Sequence, residues 1–293
     1  MTGDNSGFSS GLKRRRKIEN IFRIISLTIT WVSVIILLVL LTHVTLQGFQ
    51  RLNLGFLQNF PSRFPDKAGL KSALYGSIWL ISLIFLISVP LGTASAIYLE
   101  EYGKKGILGK FIEINIANLA GVPSIVYGIL GLAIFVRFMG LGRSVLAGSL
   151  TMSLLILPVI IMAAREALRA VPQSVRHGAY ALGATRWQTI IHHVLPASTP
   201  GILTGVILAM SRAIGETAPL IMIGALTYVA FIPEGPMDSF TALPIQIFNW
   251  ASRPQAEFQT VAAAGIIVLL GVLLLMNAAA VIIRNYFQRK YKW

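Results

Sequence analysis

Arg212 and Glu216 form a charged pair inside an otherwise apolar run at roughly residues 200–229. Four residues apart on a helix, they share one face and can contact each other. The arginine guanidinium is a planar fork of N–H donors that matches an oxyanion, and a neighbouring carboxylate can serve as its counter-ion. The pair predicts either a path in which an anion is contacted transiently, with Thr217 beside it, or a structural ion pair at a subunit interface.

The backbone beside this pair is weakened by Gly215 and Pro219. Because proline has no N–H, Pro219 leaves the carbonyl of Gly215 without its helical bond, and the helix should bend or loosen there. Arg212 is about 12 residues past Pro200, which is ~18 Å along a helix and near the middle of a bilayer. Arginine at that depth costs ~2.5–3.5 kcal/mol on insertion scales, so we expect its side chain to face protein or water.

Residues 174–196 carry the signals of two short helices separated by a break. We expect Ser174 to cap the first helix and Gly183 to end it in the left-handed conformation. Thr185 and Gln188 have the spacing of a capping box for the second helix. The segment is therefore predicted to be a compact helical elbow.

The elbow has an apolar side formed by Ala179, Tyr180, Leu182 and Trp187. Pro196 and Pro200 follow it and mark the entry to the next span. The apolar side can enter a groove on a partner protein or lie on the lipid surface, and the residues alone leave both interpretations open.

The chain shows no apparatus for catalysis or for nucleotide binding. Residues 103–110 lack the Gly-x-x-x-x-Gly-Lys-Ser/Thr spacing of a phosphate-binding loop, and Glu100 and Glu101 are interpreted as solvated interfacial charges. There is no cysteine, and the histidines at 177, 192 and 193 have no carboxylate at ligand spacing, so no metal site is predicted. We expect a non-enzymatic chain that binds no cofactor of its own.

The elements that carry these residues are predicted to be membrane-spanning helices. Of the 293 residues, 55% are hydrophobic and only 12% are charged, and the mean hydropathy is +0.72. Five charge-free stretches meet or exceed the ~20 residues that cross a bilayer: 24–50, 72–99, 114–136, 144–164 and 258–283. With the run that contains Arg212, the fold class is all-α, a polytopic integral membrane protein of about six transmembrane helices.

The net charge of +14 is concentrated around the helix ends. Basic clusters lie at 13–17, before the first span, and at 284–292, after the last. With an even number of crossings both termini lie on one side, and the positive-inside rule makes that side the cytoplasm. The charge therefore sets the orientation, and we expect no nucleic-acid partner.

The elbow resembles the Glu-Ala-Ala loop of binding-protein-dependent ABC-importer permeases. The positions that match the family spacing are Ala179, Gly183, Leu195 and Pro196. Two positions depart from it, because the family's glutamate is His177 here and its isoleucine is His193. The resemblance implies that the segment docks into ATP-binding subunits. The loss of the carboxylate at 177 leaves docking by shape through Ala179, Tyr180, Leu182, Gly183, Trp187, Leu195 and Pro196.

Further stretches resemble the phosphate-importing branch of this family, the PstA proteins: 96–103, 123–128, 215–220 and 243–248. The resemblance covers roughly residues 70–284 and implies a type I ABC-importer permease fold in a bacterial inner membrane. The predicted organisation is a cytoplasmic tail at 1–20, a first transmembrane helix at 21–47, a permease core at 70–284 with the cytoplasmic segment 171–199, and a cytoplasmic tail at 285–293.

The resemblance also implies partners and a cargo. The partners are a PstC-like second permease subunit, two copies of a PstB-like ATPase that bind ATP and Mg, an extracytoplasmic phosphate-binding protein and the lipid bilayer. Phosphate is the implied cargo, and sulfate or molybdate is the alternative because arginine recognises any of these oxyanions. A secondary transporter or a membrane enzyme fits less well, since a single intramembrane charged pair and no catalytic cluster are visible in the sequence.

Overall fold

The computed structural model describes residues 6–103, 106–225 and 228–290. The described α-helices are α1 (Ser6–Gly48), α2 (Leu54–Gln58), α3 (Lys71–Ile97), α4 (Ile107–Ala120), α5 (Ser124–Gly131), α6 (Val145–Arg169), α7 (Gln173–Ala181), α8 (Arg186–Thr189), α9 (Leu195–Gly215), α10 (Ala218–Met222), α11 (Leu243–Ala251) and α12 (Glu257–Lys290). No β-strand occurs in these ranges, and the all-α class is confirmed.

The described helices include five stretches that are long and apolar enough to cross a membrane. These stretches are 18–51, 71–102, 145–169, 186–215 and 257–288. The bent pair α4 and α5 makes a sixth crossing if it is one span. The prediction of a polytopic membrane protein with about six spans is confirmed.

The third span differs from the continuous helix expected over 114–136. α4 and α5 are separated by a short break, and the two helices are bent by 98° relative to each other. Gly121 ends α4, and Pro123 occupies the N-cap position of α5. Because proline lacks an N–H and restricts its own backbone, a helix begins after it more readily than it continues through it. After α5 the chain continues through a π-helical turn, Leu132–Phe138.

The first and last helices extend beyond their predicted bounds. α1 begins within the predicted tail 1–20, and α12 extends into the predicted tail 285–293. The remaining parts of these tails, residues 1–5 and 291–293, lie outside the described residues, as do Lys104 and Lys105 of the first cytoplasmic link.

The centre of the fold is formed by α6, which packs on both α3 and α9. Gly201 and Gly205 of α9 face Ala167 and Ala163 of α6. A Cβ atom added to Gly205 would lie 2.2 Å from Cβ of Ala163, and one added to Gly201 would lie 2.6 Å from Cβ of Ala167. Small residues at this spacing let helices approach closely in lipid, where van der Waals packing drives association. The position of α9, which carries Arg212, is set by this contact.

α11 contacts both α2 and the N-terminal part of α3. Trp250 of α11 is fully buried, and its ring centroid lies 5.9 Å from that of Phe56 in α2. The backbone N–H of Leu243 donates to Ser77 Oγ of α3 at 2.9 Å. These contacts attach the chain that follows α10 to the membrane-spanning helices.

Candidate functional site

Arg212 lies in the last turn of α9, and Glu216 is the first residue beyond this helix. Arg212 Nε donates to Glu216 Oε1 at 3.2 Å. Glu216 has an extended backbone (φ −77°, ψ 126°), so the chain leaves the helix while the carboxylate stays beside the guanidinium. The pair predicted from the spacing is formed. The side chains of Arg212 and Glu216 are 44% and 20% exposed, so the guanidinium is open on one side.

The apolar run 200–229 is interrupted rather than bent. α9 ends at Gly215, and α10 starts at Ala218 with Pro219 in its first turn. Proline is favoured there because its missing N–H has no partner at a helix start, whereas within one long helix it would break a bond. Thr217 is half-buried at the N-cap position of α10, and its side chain makes no capping bond. The structure thus places Thr217 directly after the ion pair.

A polar contact to α12 shows the depth of this site in the bundle. Ser211 Oγ lies 2.6 Å from Asn277 Oδ1. Asn277 is ~30 Å along α12 from Glu257 and ~20 Å from Lys290, at 1.5 Å per residue. Ser211, next to Arg212, therefore faces the interior of α12 and not one of its ends, while Arg212 is close to the end of its own helix.

The two interrupted spans pack against each other beside the ion pair. A Cβ atom added to Gly128 of α5 would lie 2.7 Å from Cα of Pro219 and 2.7 Å from Cβ of Met222, both in α10. Tyr127 directly precedes Gly128. Its hydroxyl donates to the Leu119 carbonyl at 2.7 Å and so bridges the break between α4 and α5. The short helices α5 and α10 are therefore packed closely together, and α10 begins two residues after Glu216.

The predicted elbow is formed by α7 and α8. Gly183 has φ +83°, and the capping box is complete: Thr185 N donates to Gln188 Oε1 at 2.8 Å, and Gln188 N donates to Thr185 Oγ1 at 3.3 Å. The expected cap by Ser174 is wrong. α7 begins at Gln173 with Pro172 as N-cap and no side-chain cap, so Ser174 lies inside the first turn.

The predicted docking residues fall into two groups. Leu182 is 91% exposed, Trp187 is 58% exposed, and Tyr180 and Gly183 are also exposed. In contrast, Ala179 is buried, and Leu195 and Pro196 are half-buried. The buried and half-buried residues attach the elbow to the bundle, whereas the exposed residues present two large apolar side chains, Leu182 and Trp187, to the surroundings.

The elbow continues into α9 without a helix end. A π-helical turn, Ile190–Val194, connects α8 to α9, and the Leu195 N–H donates to the Ile190 carbonyl. Pro196 lies in the first turn of α9, at the predicted entry to this span. Because the span from Arg186 to Gly215 is one helical stretch, Trp187 and Arg212 are on the same structural element, whereas Leu182 precedes it.

Sequence reasoning missed a group of ion pairs at the predicted cytoplasmic ends of the helices. Glu100 Oε2 lies 3.2 Å from both Arg165 Nε and Arg169 Nη2, and Arg165 Nη2 lies 3.0 Å from Glu113 Oε2. Glu101 is 9% exposed and binds Arg176 at 2.7 Å. The interpretation of Glu100 and Glu101 as solvated charges is therefore wrong. The signal available in the sequence was the number of arginines in 165–176, which need carboxylates if they are buried.

The described ranges contain no group of three or more His, Cys, Asp or Glu side chains placed to hold a metal ion. The ring of His192 lies 3.0 Å from the Gln188 carbonyl, and His177 and His193 are exposed.

The overall fold is similar to membrane chains of known ABC transporters. A chain of the bacterial alginate ABC transporter, in complex with alginate pentasaccharide-bound periplasmic protein, superposes with a TM-score of 0.65 at 16% identity and covers 95% of this chain and 96% of that chain. A chain of the MetNI methionine ABC transporter in an inward-facing conformation gives a TM-score of 0.59 at 16% identity, with 74% and 95% covered. The fold is that of an ABC-transporter permease.

The family follows from the sequence matches. The model of the binding-protein-dependent transport system inner membrane component matches residues 88–292, and the chain belongs to this family. The phosphate transport system permease protein PstA of Mycobacterium leprae is 35% identical over 91% of this chain and 89% of the relative. PstA of Yersinia pestis is 34% identical over 92% and 90%. The probable ABC transporter permease protein YqgI of Bacillus subtilis is 30% identical over 84% and 87%.

Proposed function

We propose that this chain is a membrane-spanning subunit of an ATP-driven importer of inorganic phosphate in a bacterial inner membrane. The observation that carries the proposal is the 34–35% identity to phosphate transport system permease proteins over about nine-tenths of both chains. The chain itself is non-catalytic. A PstC-like second permease subunit, two copies of a PstB-like ATPase that bind ATP and Mg, and an external phosphate-binding protein complete the importer.

Arg212 is the residue proposed to contact the anion. One nitrogen, Nε, is bound to Glu216, and no described residue is bonded to Nη1 or Nη2. The side chain can therefore donate N–H groups to an oxyanion without first losing its counter-ion. Glu216 keeps the site close to neutral in the absence of cargo, so the anion is held transiently rather than trapped. Thr217 offers a hydroxyl in the same break.

The exposed part of the elbow is proposed to transmit the energy of ATP hydrolysis. Leu182 directly follows α7 and Trp187 lies in α8, and the geometry between these two short helices is fixed by Gly183 and the Thr185 capping box. Large apolar side chains on a preorganised support fit a groove on a partner by shape. This mode of docking needs no carboxylate at position 177, which is histidine.

The test is phosphate uptake by the complex reconstituted in liposomes. Arg212→Gln removes a charged donor from the path, so uptake should fall about tenfold or more, because a hydrogen bond to a charged group contributes ~1.5–3 kcal/mol. Glu216→Gln leaves the cation unpaired, so both KM and kcat should fall as phosphate is held more tightly. Arg51→Gln is the matched control, because it breaks an arginine–carboxylate pair with Asp66 outside the path.

Three results would contradict the proposal. Normal uptake by both the Arg212 and the Glu216 variant would exclude the pair from the path. Uptake of sulfate or molybdate in preference to phosphate would reassign the cargo. Uptake by the chain without any ATP-hydrolysing partner would indicate a secondary transporter.

A further inference from the structure

Arg176 is a buried arginine at the centre of the elbow's attachment to the bundle. It lies in α7 and is 5% exposed. Its Nε and Nη2 donate to Oε1 of Glu101 at 3.2 and 2.7 Å. Nη1 donates to the Val171 carbonyl at 2.7 Å, and Nη2 also donates to the Leu168 carbonyl at 3.0 Å. Every nitrogen of the guanidinium is thus used.

These bonds join three elements. Glu101 lies in the π-helical turn Tyr98–Tyr102, which continues α3, while Leu168 is in the last turn of α6 and Val171 is two residues beyond its end. A buried ion pair is tolerated only when its remaining donors are satisfied, because desolvation of both charges is costly. The two carbonyl acceptors meet this requirement. The pair therefore holds α7 in one orientation relative to α3 and α6.

The same π-helical turn also contacts α8. The guanidinium carbon of Arg186, the first residue of α8, lies 5.3 Å from the ring centroid of Tyr102. Consecutive residues of the turn, Glu101 and Tyr102, thus bind the two helices of the elbow. The end of α3 is therefore connected to α7, which the exposed Leu182 directly follows, and to α8, which carries the exposed Trp187.

The neighbouring ion pairs do not make this connection. Arg165 and Arg169 of α6 bind Glu100 and Glu113 on the end of α3 and on α4. They are also more accessible, since the Arg169 side chain is 46% exposed, compared with 7% for Arg176. In the described part of the chain, Glu101–Arg176 is the ion pair that reaches α7.

We propose that Glu101 and Arg176 are positioning residues that transmit movement of the docking surface to the cytoplasmic end of α3. The proposal rests on the proposed function. A force applied at Leu182 and Trp187 moves α7 and α8. The buried Glu101–Arg176 pair transfers that displacement to α3. Without the pair, a change in the short connection after α6 would take up the displacement. Without the pair, the ATPase still docks and hydrolyses ATP, but fewer phosphate ions cross per ATP.

The experiment compares Glu101→Gln and Arg176→Gln with the wild type in the full complex, reconstituted in liposomes with the binding protein. Phosphate uptake and ATP hydrolysis are measured on the same preparation. Uptake per ATP should fall by about fivefold or more, the lower limit of a typical coupling energy. Arg176→Lys keeps the charge but loses the planar fork of donors, so its uptake per ATP should lie between that of Arg176→Gln and that of the wild type. Arg169→Gln is the control, and its ratio should stay at the wild-type value.

Loss of assembly is separated from loss of coupling by a double variant, Glu101→Leu with Arg176→Met. This variant removes both charges and keeps an apolar side chain at each position, a replacement that buried ion pairs often tolerate. Assembly with a low ratio supports the proposal. A wild-type ratio in the single or double variants, or failure of the double variant to assemble, overturns it. If the wild-type complex moves no phosphate, the proposed function fails, but the role of the Glu101–Arg176 pair can still be tested. The measurement is then the stimulation of ATP hydrolysis by the binding protein, compared between the Arg176→Gln and Arg169→Gln complexes.

Discussion

The close contact between α6 and α9 makes a quantitative prediction for Gly205→Ala. The added Cβ would lie 2.2 Å from Cβ of Ala163, whereas carbon atoms in ordinary contact are ~3.5–4 Å apart. The helices must separate by ~1.5 Å at this point, and overpacking of this kind costs ~1–3 kcal/mol. Replacing a helical glycine by alanine returns ~0.5–1 kcal/mol. We expect a net loss of up to about 2.5 kcal/mol of unfolding free energy.

The assay is denaturant unfolding in mixed micelles, monitored by tryptophan fluorescence, with a double-mutant cycle. Ala163→Gly removes the opposing methyl group, so Gly205→Ala in that background should regain most of the lost stability. Gly271→Ala in α12 is the matched control, because an added Cβ there meets nothing within 4 Å. If Gly205→Ala is as stable as Gly271→Ala, or if Ala163→Gly does not restore it, the close-contact argument is refuted.

Two further predictions concern the site and the elbow. Gly128→Ala places a Cβ 2.7 Å from Pro219 and Met222, so α10 must shift beside Glu216. Phosphate uptake should fall while the subunits still co-purify. Uptake at the wild-type level would contradict the importance of this contact. Gly183→Ala forces an alanine to φ +83° at a cost of ~1–2 kcal/mol, so the elbow should loosen and less ATPase should co-purify. Gly178→Ala, at a site with open space around it, is the control for the elbow, and equal recovery in both variants would contradict the strain argument.

Features that depend on neighbouring residues were predictable from the sequence. The Arg212–Glu216 pair, the Thr185–Gln188 capping box and the left-handed Gly183 involve groups no more than four residues apart. At such short separations backbone geometry alone decides which side chains meet. These features are present in the structure at the predicted positions.

Features that depend on tertiary contact were not predictable from the sequence. Glu101 and Arg176 are 75 residues apart, and nothing in the local pattern around Glu101 distinguishes it from a solvated charge at a helix end. The direction of side chains in the elbow is a similar case. Ala179 and Leu182 are both apolar, yet one is buried and the other is 91% exposed, because packing against the bundle selects the face.

One of the two helix breaks was predicted, and only in kind. Pro219 indicated weakened backbone, whereas a continuous helix was expected across Pro123; both prolines lie at the start of a new helix. Proline shows where a hydrogen bond is lost, but the angle between the two parts depends on what each part packs against. The 98° bend between α4 and α5 therefore required the three-dimensional structure.

The π-helical turns affect how movement in this protein can be measured with probes. A π turn accommodates an additional residue, so side chains beyond it are rotated by about 100° compared with an uninterrupted α-helix. A helical wheel drawn from Trp187 to Arg212 across Ile190–Val194 therefore gives the wrong angle between them. The natural sequence contains no cysteine, so a pair of introduced thiols can be labelled selectively. Their positions on either side of this turn must be taken from the fold and not from residue spacing.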